Sequence, residues 1–455
     1  MELRKEKGLM TEGPIARHMI LFAMPLVAGN LFQQMYNMVD SIVVGRFIGG
    51  TALAAVGSSG PVINLLVGLF IGLTNGASVV ISQHFGAGRL KEVKDTIHTA
   101  IFFCIIFGLL LSVAGIFLVD YILVWMDTPE EVFHQASVYL KVFFSGVFFM
   151  GLYNMGASVL RGMGNSRDPL IYLAIVCVVN IVLDIIFVVA FGMDVEGVAI
   201  ATVLAQAIAA GMVLRKMMNF PKEYRVSLKE IKCHAEQLKP ILQIGIPSGI
   251  QTSIVSFSNV IVQGAINGFG ADAMAGWSAY SKLDMILLMP FHSLGVAMTT
   301  FAGQNIGANR LDRVSGAVKI TAIINCSWAA VTGLILYVLA GPALSIFCEE
   351  QAVLDYGVYM LRGMVPFYFL LGLNQVFAGA INGAGDTMAT MVVSVSTMCV
   401  MRVLILKILG QFVTTFDVVF AAYVWTWVAC AGLQGLYYFS GRWKKKIKTI
   451  HGEHA

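Results

Sequence analysis

The chain has 455 residues, of which 58% are hydrophobic and only 12% charged, with a formal net charge of +4. A soluble domain carries about 25% charged residues, so the composition excludes a soluble enzyme and points to an all-α protein embedded in a bilayer. A spanning helix needs roughly 20 mostly apolar residues, and about twelve segments qualify. In chain order they lie near 17–38, 53–81, 96–119, 135–160, 168–191 and 195–216, then 239–265, 281–302, 315–340, 357–380, 387–409 and 416–440. The loops between them are short and leave no room for a soluble domain. The first segment lacks a small-residue cleavage site and carries polar residues, so it is expected to remain as the first helix.

Lys and Arg concentrate in alternate loops. Arg4, Lys5, Lys7, Arg89, Lys91, Lys94, the connector near 217–238 and the tail from Arg442 fall on one side; Asp127, Glu130, Glu131, Asp194, Glu349 and Glu350 fall on the other. The positive-inside rule then places both termini in the cytoplasm, in an inner or plasma membrane crossed many times.

The chain also repeats itself. Gln83-His84-Phe85-Gly86-Ala87 returns about 221 residues later as Gln304-Asn305-Ile306-Gly307-Ala308, and Gly162-Met163-Gly164 returns as Gly383-Ala384-Gly385. Pro25 and Asn37 match Pro247 and Asn259 with one residue of slippage. Recurrence at one offset indicates duplication. The expected organisation is an N-lobe over 1–216, a cytoplasmic connector over 217–238 and a C-lobe over 239–455. With six helices in each lobe the repeats are parallel, an architecture of transporters in which one half rocks against the other.

Polar groups inside apolar segments are costly and therefore informative. The first helix carries Asn30, Gln33, Gln34, Asn37, Asp40 and Ser41, which at 100° per residue share one face. Pro25 lies mid-segment, where proline removes a backbone hydrogen bond and is expected to kink or hinge the helix. The fifth helix supplies Asn180 and Asp184, four apart and stacked on one face, and the sixth supplies Thr202 and Gln206 at the same spacing. Asp40, Asn180, Asp184 and Thr202 together make an oxygen-rich set suited to a proton or a Na⁺ ion. The second half does not copy this set: Asp184 maps to Ile405 and Asp40 to Val262, while Lys282, Asp284, Arg362, Arg402 and Lys407 appear instead. Gln33, Gln34, Asn37, Gln206, Asp284 and Arg402 are candidates for lining a substrate cavity, with Asp284 facing that cavity or pairing with Arg402. Arg362 and its repeat mate Lys141 are read as reaching to the membrane interface.

Other chemistries find no support. The seven cysteines show no metal-ligand spacing and the eight histidines no HExxH motif. The GxGxS/T turns lack the lysine of a nucleotide loop, and no nucleophile elbow is present. No cofactor, catalytic residue or nucleic-acid partner is expected.

Taken together, the stretch PLVAGNLFQQMYNMVDSIVVGRFIGGTALAAVG, the paired QxxGA turns, RGMGNSRDPL and its echo NGAGDT resemble the multidrug and toxic compound extrusion (MATE) family over residues 12–440. That resemblance implies twelve helices in two lobes around a central cavity, and export of drugs in exchange for Na⁺ or H⁺. Within it, the DinF-like branch implies a cation site at Asp40, Asn180, Asp184 and Thr202 and a proline-bent first helix at Pro25. The glutamate that the NorM-like branch carries on its seventh helix is missing between Pro247 and Val255. The expected function is therefore a secondary antiporter for amphipathic or cationic organic compounds, acting as a monomer. The alternative is a flippase for lipid-linked saccharides, for which Arg402 and Lys282 are the available bases.

Overall fold

The computed structural model describes residues 9–413 and 415–451, which are helical and contain no strand. The first half consists of α1 (Ile15–Val43), α2 (Gly50–Gly86), α3 (Leu90–Trp125), α4 (Glu130–Gly162), α5 (Arg167–Asp184) and α6 (Val195–Met218). The second half consists of α7 (Ala235–Asn267), α8 (Ala271–Gly307), α9 (Leu311–Val338), the short α10 (Ala340–Leu344), α11 (Gln351–Met364), α12 (Tyr368–Gly383), α13 (Thr387–Val395), α14 (Arg402–Leu409) and α15 (Asp417–Phe439). Two pairs of these make single passages: α11 and α12 join through a 3₁₀ turn at Val365–Phe367, and α13 and α14 through a π-helical turn at Ser396–Met401. The 3₁₀ turn falls where Pro366 withholds a backbone donor.

Among the described residues, eleven helices are long and apolar enough to cross a membrane. The remaining passage is α7, which has the length, 33 residues, but is diluted by Gln251, Thr252, Ser253, Ser256, Ser258 and Asn259. Its spanning role follows from the repeat rather than from its hydropathy.

The duplication is written into the backbone. Positive-φ positions recur 221 residues apart at Gly49 and Gly270, at Gly88 and Asn309, and at Gly164 and Gly385. Asn replaces Gly at one of them because its short polar side chain tolerates the left-handed region. Gly162 and Gly383 hold another shared position. A Cβ at Gly162 would lie 2.7 Å from the Ser78 carbonyl, and one at Gly383 would lie 2.6 Å from that of Thr299. The GxGxS/T motifs are thus close-packing turns of α4 on α2 and of α12 on α8.

Two compact units emerge, and they differ from the chain halves at two places. Among the described residues, one unit comprises Pro25–Gly245 and the other Leu9–Met24 with Ile246–His451. The first stretch of α1 therefore belongs with the second half, and the first turns of α7 with the first half. The QxxGA motifs make these attachments. Gln304 Oε1 accepts from the Met10 amide at 2.8 Å, and Arg313 donates to the Met10 and Gly13 carbonyls at 3.1 and 3.0 Å. In the other unit His84, the repeat mate of Asn305, lies 3.1 Å from Gln237 at the start of α7. The sequence reading gave these motifs only a turn-forming and topological role; each also clasps the entry of a first helix.

The connector between α6 and α7 is fastened to α3. The Ser227 amide donates to His98 Nε2 at 3.1 Å, while His98 Nδ1 donates to the Lys94 carbonyl at 2.8 Å. Lys94 pairs with Glu230 at 2.5 Å.

Candidate functional site

Inside the Pro25–Gly245 unit, α1, α5 and α6 bring together the four residues expected to form a cation site. Asn180 and Asp184 are fully buried and Thr202 is nearly so. The carboxyls of Asp40 and Asp184 lie within hydrogen-bonding reach of each other. Two ionised carboxylates have no proton to share, so such a pair requires one proton or a cation between its oxygens. Among the described residues, no Lys, Arg or His acts on either carboxyl. Both oxygens of Asp184, Oδ1 of Asp40, both polar atoms of Asn180 and Oε1 of Gln206 find no donor or acceptor among the described residues. Buried polar atoms are satisfied in more than nine cases in ten, so a concentration of unpartnered oxygens marks a place built for something else.

Local structure explains why the carboxylates point inward. The regular part of α5 ends at Asp184, and a π-helical turn follows over Ile185–Ala190. A second π turn, Val44–Ile48, follows α1 one helical turn after Asp40. The two π turns touch. Such turns put an extra residue into the helix, re-aim the neighbouring side chains, and are common at functional sites.

Two tyrosines that the sequence reading missed complete the group. The Tyr36 hydroxyl donates to Thr202 Oγ1 at 3.2 Å, and Tyr139 of α4 is buried close enough to feel both carboxylates. The signal for Tyr36 was available, since it precedes Asp40 by four residues and shares its face. Tyr139 was not legible, because only packing reveals which face of α4 turns inward.

The remaining members of the polar stripe behave differently. Gln33 and Gln34 are half-buried, Asn37 is exposed, and among the described residues none of their side chains bonds to the acidic group. Pro25 lies within α1, which stays helical through it, at the boundary between the two compact units.

In the other unit the helix that matches α5 carries a base, three residues before Ile405, the repeat mate of Asp184. Arg402, at the start of α14, is 2% exposed and has no acidic partner among the described residues. Its guanidinium donates to Asn259 Oδ1 at 3.2 Å and Thr426 Oγ1 at 3.3 Å, and lies 4.3 Å from the centre of the Tyr423 ring; its Nε is unpartnered. Tyr423 is the repeat mate of Thr202 and Asn259 that of Asn37. Of the two alternatives for Asp284, facing the cavity or pairing with Arg402, the pairing is not realised: Asp284 Oδ1 accepts instead from Tyr280 at 3.2 Å and from Tyr368. Two hydroxyls within reach of α8 satisfy the carboxylate without a base. Lys282 is exposed and stands 5.9 Å from the Phe347 ring.

Two stretches of the chain, 25–186 and 247–407, match the MatE family profile. The chain belongs to the MatE family. Its members are membrane transporters and not enzymes. Among curated relatives, the chain is 31% identical to "Probable multidrug resistance protein YoeA" of Bacillus subtilis (strain 168), with 95% of each chain covered. It is 28% identical to "Probable multidrug resistance protein YpnP" of the same organism, with 95% of this chain and 97% of the relative covered. Among solved structures it superposes on an outward-facing multidrug resistance MATE family transporter of the MOP superfamily with a TM-score of 0.90. There the identity is 22%, with 98% of this chain and all of the other covered. The expected all-α fold with duplicated halves is therefore the MatE fold.

Proposed function

We propose that this MatE protein is a secondary antiporter that exports amphipathic or cationic organic compounds in exchange for Na⁺ or H⁺. The observation that carries the reading is the facing pair of half-buried Asp40 and buried Asp184, set with Asn180 and Thr202 and uncompensated by any base among the described residues. Carboxylate, amide and hydroxyl oxygens suit a hard monovalent cation, and the same oxygens hold a proton. Coupling needs a group whose charge differs between the two states of the carrier, and this pair supplies one within a single unit. The names of the curated relatives, which are multidrug resistance proteins, support drug-like compounds as cargo. Gln33, Gln34, Asn37, Gln206, Asp284 and Arg402 are proposed to contact that cargo.

Alternating access follows in this reading from movement at Pro25, where α1 passes from one compact unit to the other. Occupying Asp40 removes a buried charge and shifts the balance between two arrangements of the helix. Both termini are placed in the cytoplasm, in the plasma membrane, and the working form is a monomer. In the flippase alternative Arg402 and Lys282 would act together on a pyrophosphate, and neither lies in a shared basic cluster.

Transport by the purified protein in vesicles, with Na⁺ and H⁺ gradients imposed separately, tests the proposal. Uphill movement of a fluorescent organic cation driven by at least one gradient is expected, and Pro25→Ala should reduce it while leaving cation binding intact. Equal movement without either gradient would remove the antiport reading.

A further inference from the structure

The two halves treat one duplicated base differently. In the first half Lys141 of α4 pairs with Asp120 of α3 at 2.7 Å, and Ser137 donates to the same carboxylate at 2.5 Å. The repeat mates of Lys141, Ser137 and Asp120 are Arg362, Val358 and Gly341. The base has been kept while the carboxylate and the hydroxyl have been lost. A Cβ at Gly341 would meet no heavy atom within 4 Å, so nothing has grown into the space.

Arg362 responds in a way that leaves its outer face unused. Its Nε donates to the Tyr337 carbonyl at 3.1 Å, in the last turn of α9, and the guanidinium lies 5.7 Å from the Tyr337 ring centre. Among the described residues it makes no ion pair. It lines a cavity of about 450 Å³ with Tyr337, Asp355, Val358, Tyr359 and Phe420. That volume falls in the ~300–1,000 Å³ range of small-molecule sites. A second cavity of about 330 Å³ shares Asp355 and Tyr359 and is bounded by Asp417. Asp355 and Arg362 are two turns apart on one face of α11, about 10 Å along the axis, with Tyr359 between them.

The depth of this site selects its occupant. The apolar run of the passage begins at Met364, and that of α15 begins at Val418. Arg362 and Asp417 thus mark the boundary where hydrocarbon gives way to headgroups. By chain threading, the ends of α9, α11 and α15 here lie on the membrane face opposite the connector between α6 and α7. Tyr337, Tyr359 and Phe420 supply the aromatic girdle usual at that level.

We propose that this site binds the headgroup of a phosphoethanolamine lipid from the leaflet opposite the connector. The lipid phosphate takes the place beside Arg362 that Asp120 holds beside Lys141, and its ammonium group lies toward Asp355 and Asp417. A guanidinium matches a phosphate through paired donors. The two acids disfavour a lipid that is anionic overall and favour one carrying a primary amine.

Native mass spectrometry of the purified protein, loaded with dioleoyl phosphatidylethanolamine, phosphatidylcholine or phosphatidylglycerol, tests this. The expected result is one phosphatidylethanolamine retained per chain, at least tenfold less in Arg362→Gln, and recovery to within about threefold in Arg362→Lys. Asp355→Asn should keep lipid but lose the preference over phosphatidylcholine. Lys141→Gln, which breaks the internal pair of the other half, should leave retention unchanged. Undiminished retention in Arg362→Gln, a preference for phosphatidylglycerol, or displacement of the lipid by millimolar soluble phosphoethanolamine would each overturn the proposal. The last of these would assign the site to a soluble phosphate instead.

Discussion

The two halves of this chain carry opposite charges in corresponding helices, though not at paired positions, since Arg402 matches Ile181 and Asp184 matches Ile405. Among the described residues, Asp40 and Asp184 of the first half face each other without a base, and Arg402 of the second is buried under Tyr423 without an acid. Both stand next to a π-helical turn, Val44–Ile48 and Ile185–Ala190 on one side and Ser396–Met401 on the other. These turns do not fall at the 221-residue offset, since Ile185–Ala190 maps to 406–411 and not to 396–401, so each half has its own helical irregularity beside its charged group. The acidic version leaves oxygens unsatisfied and open to an ion. The basic version spreads its donors over neutral oxygens and an aromatic face, and only Nε remains unpartnered. In the proposed reading the acid pair takes up and releases the coupling ion, while the guanidinium, stacked on Tyr423, is held in place with its Nε free.

Charge removal at the acid pair is the strongest way to break the comparison. Asp184→Asn keeps shape and loses the charge. Hydrogen bonds to charged groups contribute about 1.5–3 kcal/mol, so coupling-ion binding should weaken about 10–100-fold. Asp40→Asn should act alike, and the double variant should lose little more, because the two groups work as one. Transport that remained gradient-driven in both variants would show the pair to be structural.

Arg402 should respond in the reverse sense. Replacing a buried ion with an apolar side chain of similar volume is often neutral or stabilising, so Arg402→Met should hold or raise the melting temperature. Arg402→Ala leaves a void beneath Tyr423 and should cost about 2 kcal/mol or more. Comparable losses in both variants would mean that the charge itself holds the unit together.

Tyr36→Phe sharpens the comparison at smaller scale. It removes the hydroxyl that donates to Thr202 at 3.2 Å, a bond contributing about 1 kcal/mol. A roughly fivefold change in ion affinity without loss of fold is expected in titrations of the vesicle-bound protein.

The smallest effect belongs to the connector. Lys94 at 2.5 Å holds the exposed Glu230 carboxyl below its ordinary range. A depressed carboxyl contributes stability that is complete at neutral pH and fades as the pH falls through that range. Because the group is exposed, screening keeps the contribution small. Glu230→Gln should therefore raise hydrogen exchange in residues 227–234 only modestly, and the difference from the unaltered protein should vanish in acid or at high salt.

How much of this was readable beforehand depends on the kind of signal. The spans and the duplication were legible because hydropathy and recurring phrases are one-dimensional. Asp40, Asn180, Asp184 and Thr202 stood out because each is polar where lipid surrounds the chain, and helical spacing put 180 and 184 on one face. The π turns were invisible, since Val-Gly-Arg-Phe-Ile carries no local mark of an extra residue per turn. Of the tyrosine partners of Asp284, Tyr280 was legible four residues before it on the same helix, but Tyr368 is 84 residues away and no periodicity links it to Asp284. The exchanged starts of α1 and α7 escaped notice because a loop motif does not announce what it grips.

That exchange has a bearing on how the protein is made. The stretch Leu9–Met24 belongs to the unit built from Ile246 onward, and its holders Gln304 and Arg313 are synthesised 294 and 303 residues after Met10. At about 5–20 residues per second, the earliest part of α1 waits on the order of 15–60 s for its binding surface. A ribosome that stopped after the first half would release a chain whose opening helix had no place to dock. Fragments cut in the connector should accordingly be degraded when expressed singly and accumulate when expressed together, each supplying the segment that completes the other.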